Sequence, residues 1–181
     1  MESCPARFEK QPITYPDRAE QILRTLSFSL TLQEDYVIVG SAHVSLSLQL
    51  DEGAQDTAIF GYLDDFDPLT GVTNYITEGS IRPSHRMTND SLLPQDVQIG
   101  AFDTISRSFL ENDWRPLTEA EIQVEFLLEP IAYVVPKGHV LRLSFAGADT
   151  DNYYLENIHM LASKWYLDLT KSELRLPLST V

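Results

Sequence analysis

The stretch "VIVGSAHVSLSLQL", residues 37–50, alternates between apolar and polar side chains over most of its length. One face of it carries Ile38, Ala42, Val44, Leu46, Leu48 and Leu50. The opposite face carries Ser41, His43, Ser45, Ser47 and Gln49. A period of two residues is typical of a β-strand that buries one face. The stretch therefore predicts one long strand of a half-buried sheet.

The same alternation recurs in both directions from this strand. It is found in "TLSFSLTLQ" (25–33), "EIQVEFLL" (121–128), "HVLRLSF" (139–145), "KWYLDL" (164–169) and "ELRLPL" (173–178). "TAIFGYL" (57–63) is apolar on both faces, which indicates a central strand. "VTNYITEG" (72–79) and "SIRPSHR" (80–86) predict two short strands on either side of Gly79. Residues 88–121 are irregular, and "DTISRSFLEN" (103–112) within them predicts a short helix.

About eight or nine strands without an amphipathic helix or an internal repeat predict an all-β fold. The form we expect is an antiparallel β-sandwich of the jelly-roll type, and the alternative is a smaller sandwich with an irregular flap. Residues 1–24 are polar and interrupted by three prolines, so they predict an extended N-terminal arm. Residues 25–181 then form the jelly-roll domain.

Composition narrows the class of partner and the compartment. Asp and Glu number 27 against 13 Lys and Arg, which gives a formal net charge of −14. Such an acidic surface repels nucleic-acid phosphates and anionic membranes, so we expect neither partner. No apolar run is long enough to span a membrane, and no signal sequence is recognisable, so a cytoplasmic location is expected. The single cysteine, Cys4, excludes an internal disulfide framework and fits a reducing compartment.

Ordered motifs carry a family resemblance across residues 15–178. They are "YPDR" (15–18) leading into the first strands, "DTAIFGYLDDFDPLTGVTNYITEGSIRPSHR" (56–86), "PLTEAEIQVEFLLEPIAYVVPKGHVLRLSFAGADTDNYY" (116–154) and the closing "SELRLPL" (172–178). In this order they resemble the C-terminal domain of the cocaine esterase and X-prolyl dipeptidyl peptidase family of α/β-hydrolases. The chain departs from the family pattern at Val140, where the family often has arginine after Gly-His, and residues 88–115 match only loosely.

The resemblance implies a galactose-binding-like jelly roll that packs on an α/β-hydrolase domain and helps to enclose its substrate pocket. The Ser-Asp-His triad of the family would lie in that hydrolase domain, in cis or in trans, and not in this chain. The alternative is a stand-alone carbohydrate- or ligand-binding module. Self-association through the surface that would face the hydrolase is a third expectation.

The residues themselves provide no catalytic centre. A hydrolase of this type needs a G-x-S-x-G elbow to expose its nucleophile, and the nearest stretch, "VGSAH", places Ser41 inside the predicted strand. We therefore assign no catalytic, cofactor-binding or metal-binding residue, expect no cofactor, and expect no activity from the chain alone. Cys4 lies in the arm, where nothing would lower its pKa.

The four histidines receive structural interpretations. His43 is predicted at the surface or an interface, and His85 lies between two arginines that we expect to pair with the protein's own carboxylates. His139 is predicted inward or at the rim, with its ring bonded to backbone or a carboxylate. His159 lacks a metal-ligand partner at suitable spacing.

Two acidic loops and a set of aromatic residues remain. "DDFDPLTG" (64–71) and "DTDNYYLEN" (149–157) are predicted to hold solvated turn carboxylates, with a calcium site as the alternative. "KGHVLRLSF" (137–145) is predicted as a central structural strand, and "AGADTDNYY" (146–154) as a loop that faces a partner domain. The aromatic residues could serve as core or domain-interface residues or as a sugar-stacking platform. They are Trp114, Tyr153, Tyr154, Trp165 and Tyr166.

Overall fold

The computed structural model describes residues 6–9, 26–50, 57–88, 105, 107–118, 121–147, 149, 152 and 164–181. Nearly all regular structure in these residues is strand. The strands are β1 (Ala6–Glu9), β2 (Leu26–Thr31), β3 (Tyr36–Gly40), β4 (His43–Leu50), β5 (Ile59–Phe66), β6 (Thr73–Ile81), β7 (Glu121–Leu127), β8 (Ile131–Val135), β9 (Val140–Ala146), β10 (Lys164–Leu167), β11 (Glu173–Arg175) and β12 (Leu178–Thr180). Two single turns of 3₁₀ helix cover Pro83–His85 and Glu111–Asp113.

The strands form three antiparallel sheets. In the first sheet, β4 pairs with β7 along its length and with β11 and β10 at its two ends, and β10 also pairs with β1. The second sheet has the order β2-β9-β5-β6, and the third has the order β12-β3-β8. Of the helices in the described ranges, none is long and apolar enough to cross a membrane.

The core fills the space between the first and second sheets. It joins the alternate residues of β4 and β7 to those of β5 and β9 in one buried cluster. These residues are Val44, Leu46, Leu48, Ile122, Val124, Phe126, Ile59, Leu63, Leu141, Leu143 and Phe145. The alternation therefore predicted the buried faces of β4, β7 and β9 correctly, because a half-buried strand repeats every two residues. The all-β sandwich is confirmed, and the jelly-roll form stays a prediction.

The long strand predicted over residues 37–50 is in fact two strands. The chain breaks after Gly40, whose φ of 120° is a conformation that glycine adopts without the steric cost of a Cβ. The break sends β3 into the third sheet and β4 into the first. Ser41 lies in the break and not inside a regular strand, so that part of the prediction is wrong. It joins a strand to a strand, which is not the strand-to-helix elbow that a hydrolase nucleophile requires.

The opposite error was made at Gly79, where two short strands were predicted. β6 runs without interruption from Thr73 to Ile81, and the following residues form a 3₁₀ turn instead of a strand. Gly79 is needed for close approach, since a Cβ there would lie 2.4 Å from the carbonyl oxygen of Leu127. The connection from β7 to β8 is held against β6 by hydrogen bonds from Glu129 N to Glu78 O and from Thr77 Oγ1 to Glu129 O, both 2.8 Å.

Two further segments differ from their predictions. The described part of residues 103–112 contains no α-helix, and has instead an isolated bridge from Arg107 to Thr88 followed by the start of the second 3₁₀ turn. "ELRLPL" divides into β11, which pairs with β4, and a segment leading into β12, which pairs with β3. Of the predicted arm, residues 6–9 form β1, and the remainder lies outside the described residues.

Candidate functional site

The residues with catalytic chemistry converge at the end of β5. Asp65 continues the core-facing alternation of β5, and its side chain is only 2 % exposed. Tyr133, on β8, donates its hydroxyl to Asp65 Oδ2 at 3.0 Å, and His139 Nδ1 lies 2.8 Å from Asp65 Oδ1. One carboxylate therefore joins β5 of the second sheet to β8 of the third and to the turn before β9. We call Asp65, Asp67, Tyr133 and His139 the Asp65 cluster.

The carboxylate sets the tautomer of the histidine. Because Asp65 only accepts hydrogen bonds, His139 Nδ1 carries the proton and donates it. His139 Nε2 then faces Asp67, whose Oδ1 is 4.0 Å away. Asp67 itself closes the loop after β5, since it accepts hydrogen bonds from the Leu69 amide at 2.8 Å and the Thr70 hydroxyl at 2.7 Å.

The contacts also shift two pKa values. The hydrogen bond from Thr70, followed by that from the Leu69 amide, lowers the pKa of Asp67 below its ordinary value. Burial, followed by the hydrogen bond to the Asp65 carboxylate, raises the pKa of Tyr133 to about 12. Tyr133 therefore stays a neutral donor over the physiological range.

An Asp-His pair of this geometry is the orienting half of a nucleophile-activating site. The described residues do not supply the other half, because the contacts they make with the His139 ring come from Asp65 and Asp67. The hydroxyls of Tyr133 and Thr70 already donate to carboxylates. The cluster thus joins the second and third sheets, and the prediction that the His139 ring is bonded to backbone or a carboxylate is confirmed.

A second buried carboxylate lies at the opposite end of β5. Asp149 is 0 % exposed and accepts hydrogen bonds from the Tyr62 hydroxyl at 2.8 Å and from Asn152 Nδ2 at 3.0 Å. Asp64 is buried as well. The prediction of solvated turn carboxylates is therefore wrong for Asp64, Asp65 and Asp149.

The calcium alternative gains no support from these positions. Among the residues that the structure describes, no group of three or more His, Cys, Asp or Glu could hold a metal ion. Asp151 and Glu156 of the second acidic loop lie outside the described residues.

His43 is buried, although it was predicted at the surface or an interface. Arg175 of β11, its register partner, donates from Nη2 to His43 Nδ1 at 3.1 Å, and Glu125 Oε2 lies 3.7 Å from Nε2. Pairing of β4 with both β7 and β11 is what covers the ring. His159 and Cys4 lie outside the described residues.

A different kind of surface is built from residues 82–88 and 107–115, which we call the arginine–aromatic face. Its two segments are joined by the Thr88–Arg107 bridge and by a 2.9 Å hydrogen bond from the Arg115 amide to Ser84 O. Arg107 Nη1 donates to the carbonyls of His85 and Arg86 at 3.2 and 2.9 Å. Arg86 Nη1 donates to the carbonyls of Pro83 and Arg115 at 3.2 and 3.0 Å. These bonds fix an irregular backbone that has no sheet ladder to hold it.

The face presents large apolar side chains to the outside. Phe109 is 76 % exposed, and its neighbours Leu110, Trp114 and Met87 are exposed too. The His85 ring lies 5.2 Å from the Phe109 ring. Beneath this surface, Arg107 Nη2 and His85 Nδ1 are buried without a hydrogen-bond partner among the residues that the structure describes. Burial lowers the pKa of the Arg107 guanidinium below its ordinary value, although the side chain still carries its charge.

A cavity of about 210 Å³ opens between the two main sheets beside β2. Its lining is almost entirely apolar and includes Phe28 and Leu30 of β2 and Leu174 of β11. It continues the core to an open edge of the sandwich. No charged group points to a specific ligand there, apart from Glu173 at the rim.

Comparison with known proteins identifies the kind of domain. The family model of the X-Pro dipeptidyl-peptidase C-terminal non-catalytic domain matches residues 8–160. The chain belongs to this family. The non-catalytic part of that description agrees with a sandwich in which the rings of His43 and His139 are bonded to neighbouring side chains of the fold.

Relatives of this X-Pro dipeptidyl-peptidase C-terminal domain are much longer than the chain. The "Putative serine esterase" proteins of Mycobacterium tuberculosis and Mycobacterium bovis are each 33% identical over 142 residues, which is 78% of this chain and 22% of the relative. A CocE/NonD family hydrolase from Staphylococcus aureus has the same fold, with a TM-score of 0.67 at 15% identity over 99% of this chain and 33% of that one. An aminopeptidase from a marine sediment archaeon (Thaumarchaeota archaeon) gives a TM-score of 0.64 at 11% identity over 98% of this chain and 33% of that one. The chain thus spans between a fifth and a third of the proteins it matches.

The Gly-His motif of the X-Pro dipeptidyl-peptidase C-terminal domain now has a physical role. Gly138 adopts a φ of 84°, which turns the chain so that His139 reaches Asp65. The structure places β9 between β2 and β5, so the prediction of a central structural strand is confirmed.

Sequence reasoning missed Tyr133, Arg107 and Phe109. Tyr133 could have been found from the alternation in "IAYVV", but Arg107 and Phe109 lie in the segment that was predicted to be helical. The predicted sugar platform remains untested, because Tyr153, Tyr154 and the Trp165 side chain lie outside the described residues. A stand-alone binding module therefore stays a prediction.

Proposed function

We propose that this chain is the non-catalytic C-terminal domain of a serine hydrolase of the X-Pro dipeptidyl peptidase or acyl-esterase type. In this role it stabilises the α/β-hydrolase domain and helps to enclose the substrate pocket. The observation that carries the proposal is the match of residues 8–160 to the non-catalytic domain family, in a chain that spans only 22% of its esterase-named relatives.

The chemistry of the described residues supports a binding role over a catalytic one. His43 and His139, the two best-contacted histidines, have their rings bonded to neighbouring side chains of the fold. The arginine–aromatic face turns large apolar and aromatic side chains outward, on backbone fixed by hydrogen bonds. Such residues stabilise an interface by burial and make poor catalysts by themselves.

The first test is activity of the isolated chain. We expect no turnover of p-nitrophenyl butyrate above the buffer rate, because the described residues provide no activated nucleophile. Saturable turnover that a serine-directed phosphonate blocks would contradict the non-catalytic assignment.

The second test is a fusion in which this chain replaces the matched region of the Mycobacterium tuberculosis relative. We expect the fusion to unfold in one coupled calorimetric transition, and to turn over the ester faster than the same relative truncated before its matched region. Two independent transitions, together with turnover no better than that of the truncated protein, would contradict the stabilising role.

The pocket-enclosing part of the proposal is tested separately on the same fusion. If the domain forms a wall of the pocket, the ratio of kcat/KM for a bulky acyl ester to that for an acetyl ester should differ between the fusion and the truncated protein. An unchanged ratio in a coupled fusion would limit the domain to stabilisation.

A further inference from the structure

The arginine–aromatic face lies at one defined end of the sandwich. The loop that contains Asp67 lies at the other end of the β5–β6 hairpin. The nine residues of β6 separate the face from this loop by about 25 Å. The end of β9 pairs with the start of β5, so Asp149 lies at the same end as the face. The loop predicted to face a partner, residues 146–154, begins at this end.

The face is locally cationic in a strongly acidic protein. Four of the thirteen Lys and Arg residues of the chain lie in it, at positions 82, 86, 107 and 115, whereas its described carboxylates are Glu111 and Asp113. The chain as a whole has a net charge of −14. A partner that meets this end therefore gains most from an acidic surface, since like charges placed opposite each other are unfavourable.

The composition of the face is that of a protein interface. Arginine and large aromatic residues are the side chains that most often dominate binding energy, and a hydrogen-bonded backbone lowers the entropy lost when they are buried. Phe109, Leu110 and Trp114 are exposed around Arg107, whose Nη2 lacks an acceptor. A buried donor of this kind is satisfied by water, by a group outside the described part of the chain or by a bound partner.

We propose that the arginine–aromatic face is the docking surface for the α/β-hydrolase domain, and that it binds an acidic patch of that domain with an apolar centre. Phe109 and Leu110 insert into the apolar centre, while the arginines face its carboxylates. This inference rests on the proposed function, because it specifies the surface through which that function is carried out.

The test uses the fusion with the Mycobacterium tuberculosis relative and measures the melting temperature of the fusion and of the isolated chain for each variant. The double variant Phe109→Ser/Leu110→Ser is matched by Leu69→Ser, because Leu69 is 94 % exposed at the opposite end of the hairpin. Arg107→Gln is matched by Lys137→Gln, which removes an exposed charge from the turn before His139.

We expect the face variants to lower the melting temperature of the fusion more than that of the isolated chain. Phe109→Ser/Leu110→Ser should lower its melting temperature by about 3–8 °C more than it lowers that of the isolated chain. Arg107→Gln should do the same to a smaller extent. Leu69→Ser and Lys137→Gln should shift fusion and isolated chain equally.

Three other outcomes test the docking surface and the proposed function separately. If the wild-type fusion unfolds in one coupled transition and the face variants shift fusion and isolated chain equally, the face is not the docking surface and the proposed function stands. Selective loss with Leu69→Ser would place the docking surface at the Asp67 loop instead. If the wild-type fusion is itself uncoupled, this inference fails, and the proposed function fails with it when turnover is also no better than that of the truncated protein.

Discussion

Replacing Gly79 by alanine tests whether the β7–β8 connection lies against β6. Two physical effects act in opposite directions at this position. Alanine restricts the unfolded chain and suits a strand better than glycine, which should stabilise the protein by about 0.5–1 kcal/mol. However, the new Cβ would lie 2.4 Å from Leu127 O and 2.9 Å from Leu128 Cα. Both are backbone atoms, which cannot move aside as a flexible side chain can.

The structure gives the size of the unfavourable effect. An ordinary contact begins near 3.4 Å, so the backbone at Leu127 has to move by about 1 Å. That movement stretches the two 2.8 Å hydrogen bonds that Glu129 makes with Glu78 and Thr77. Overpacking costs about 1–3 kcal/mol, and each weakened hydrogen bond costs about 0.5–1.5 kcal/mol. The net result is a loss of about 2–4 kcal/mol, so the steric effect determines the sign.

The assay is urea unfolding followed by circular dichroism, with a thermal melt as a second measurement. A loss of this size corresponds to a melting temperature lowered by about 5–15 °C in a chain of this length. Gly71→Ala is the matched control, because its Cβ would meet nothing within 4 Å and only its φ of 75° is unfavourable. Gly61→Ala should fall between them, since its Cβ meets the rings of Phe126 and Phe145 at 3.2–3.3 Å. A Gly79→Ala protein as stable as the wild type would refute the reasoning, because the close approach would then not exist.

Three further predictions concern the charged and polar contacts. The pKa of Tyr133 is raised to about 12, so its contribution to stability should be complete below pH 10 and lost as the pH rises through 12. Tyr133→Phe should remove this alkaline loss of stability from the unfolding free energy measured against pH, and an unchanged loss would assign it to another group. Asp65→Asn should lower the free energy of unfolding by about 2–3 kcal/mol, because the single amide oxygen replaces two carboxylate oxygens that accept from Tyr133 and His139 separately. A variant as stable in urea as the wild type would argue against the role of Asp65 in joining the sheets. Lys171 lowers the pKa of Glu121 through a hydrogen bond, so this contact stabilises the protein above the ordinary carboxyl range and is lost as the pH falls through the lowered pKa. Lys171→Met should therefore raise the Glu121 pKa measured by NMR, and an unchanged titration would count against the contact.

The half-buried strands could be read from the sequence because one physical rule determines them. A strand with one face in the core alternates every two residues, so the core-facing positions of β4, β7 and β9 follow directly. The burial of His43, Ser47 and Ser144 on the opposite faces does not follow from it. The ends of the strands do not follow from that rule. The alternation of residues 37–50 stays in phase across Gly40, and only the positive φ of that glycine reveals that β3 and β4 enter different sheets.

Local sequence patterns could not predict the buried carboxylates, for a different reason. Asp is the kind of residue that is seldom fully buried unless it is paired, so acidic stretches predict exposed turns. The partners that bury Asp65 are 68 and 74 residues away in the chain, and the Tyr62 partner of Asp149 is 87 residues away. No window of neighbouring residues contains both members of such a pair. Only the topology that places β8 and the Gly138 turn beside the end of β5 brings them together.

These long-range pairs bear directly on function. A histidine oriented by a buried aspartate is half of a hydrolytic centre, and in this chain that half serves to join two sheets. Arg86 and Arg107 are likewise used inside the domain. Their described hydrogen bonds hold an irregular backbone in place, and aromatic side chains project from it. Because these polar groups are bonded inside the domain, the surface that offers another protein apolar and cationic side chains is the arginine–aromatic face. That distribution suits a domain that binds a catalytic partner better than one that catalyses a reaction itself.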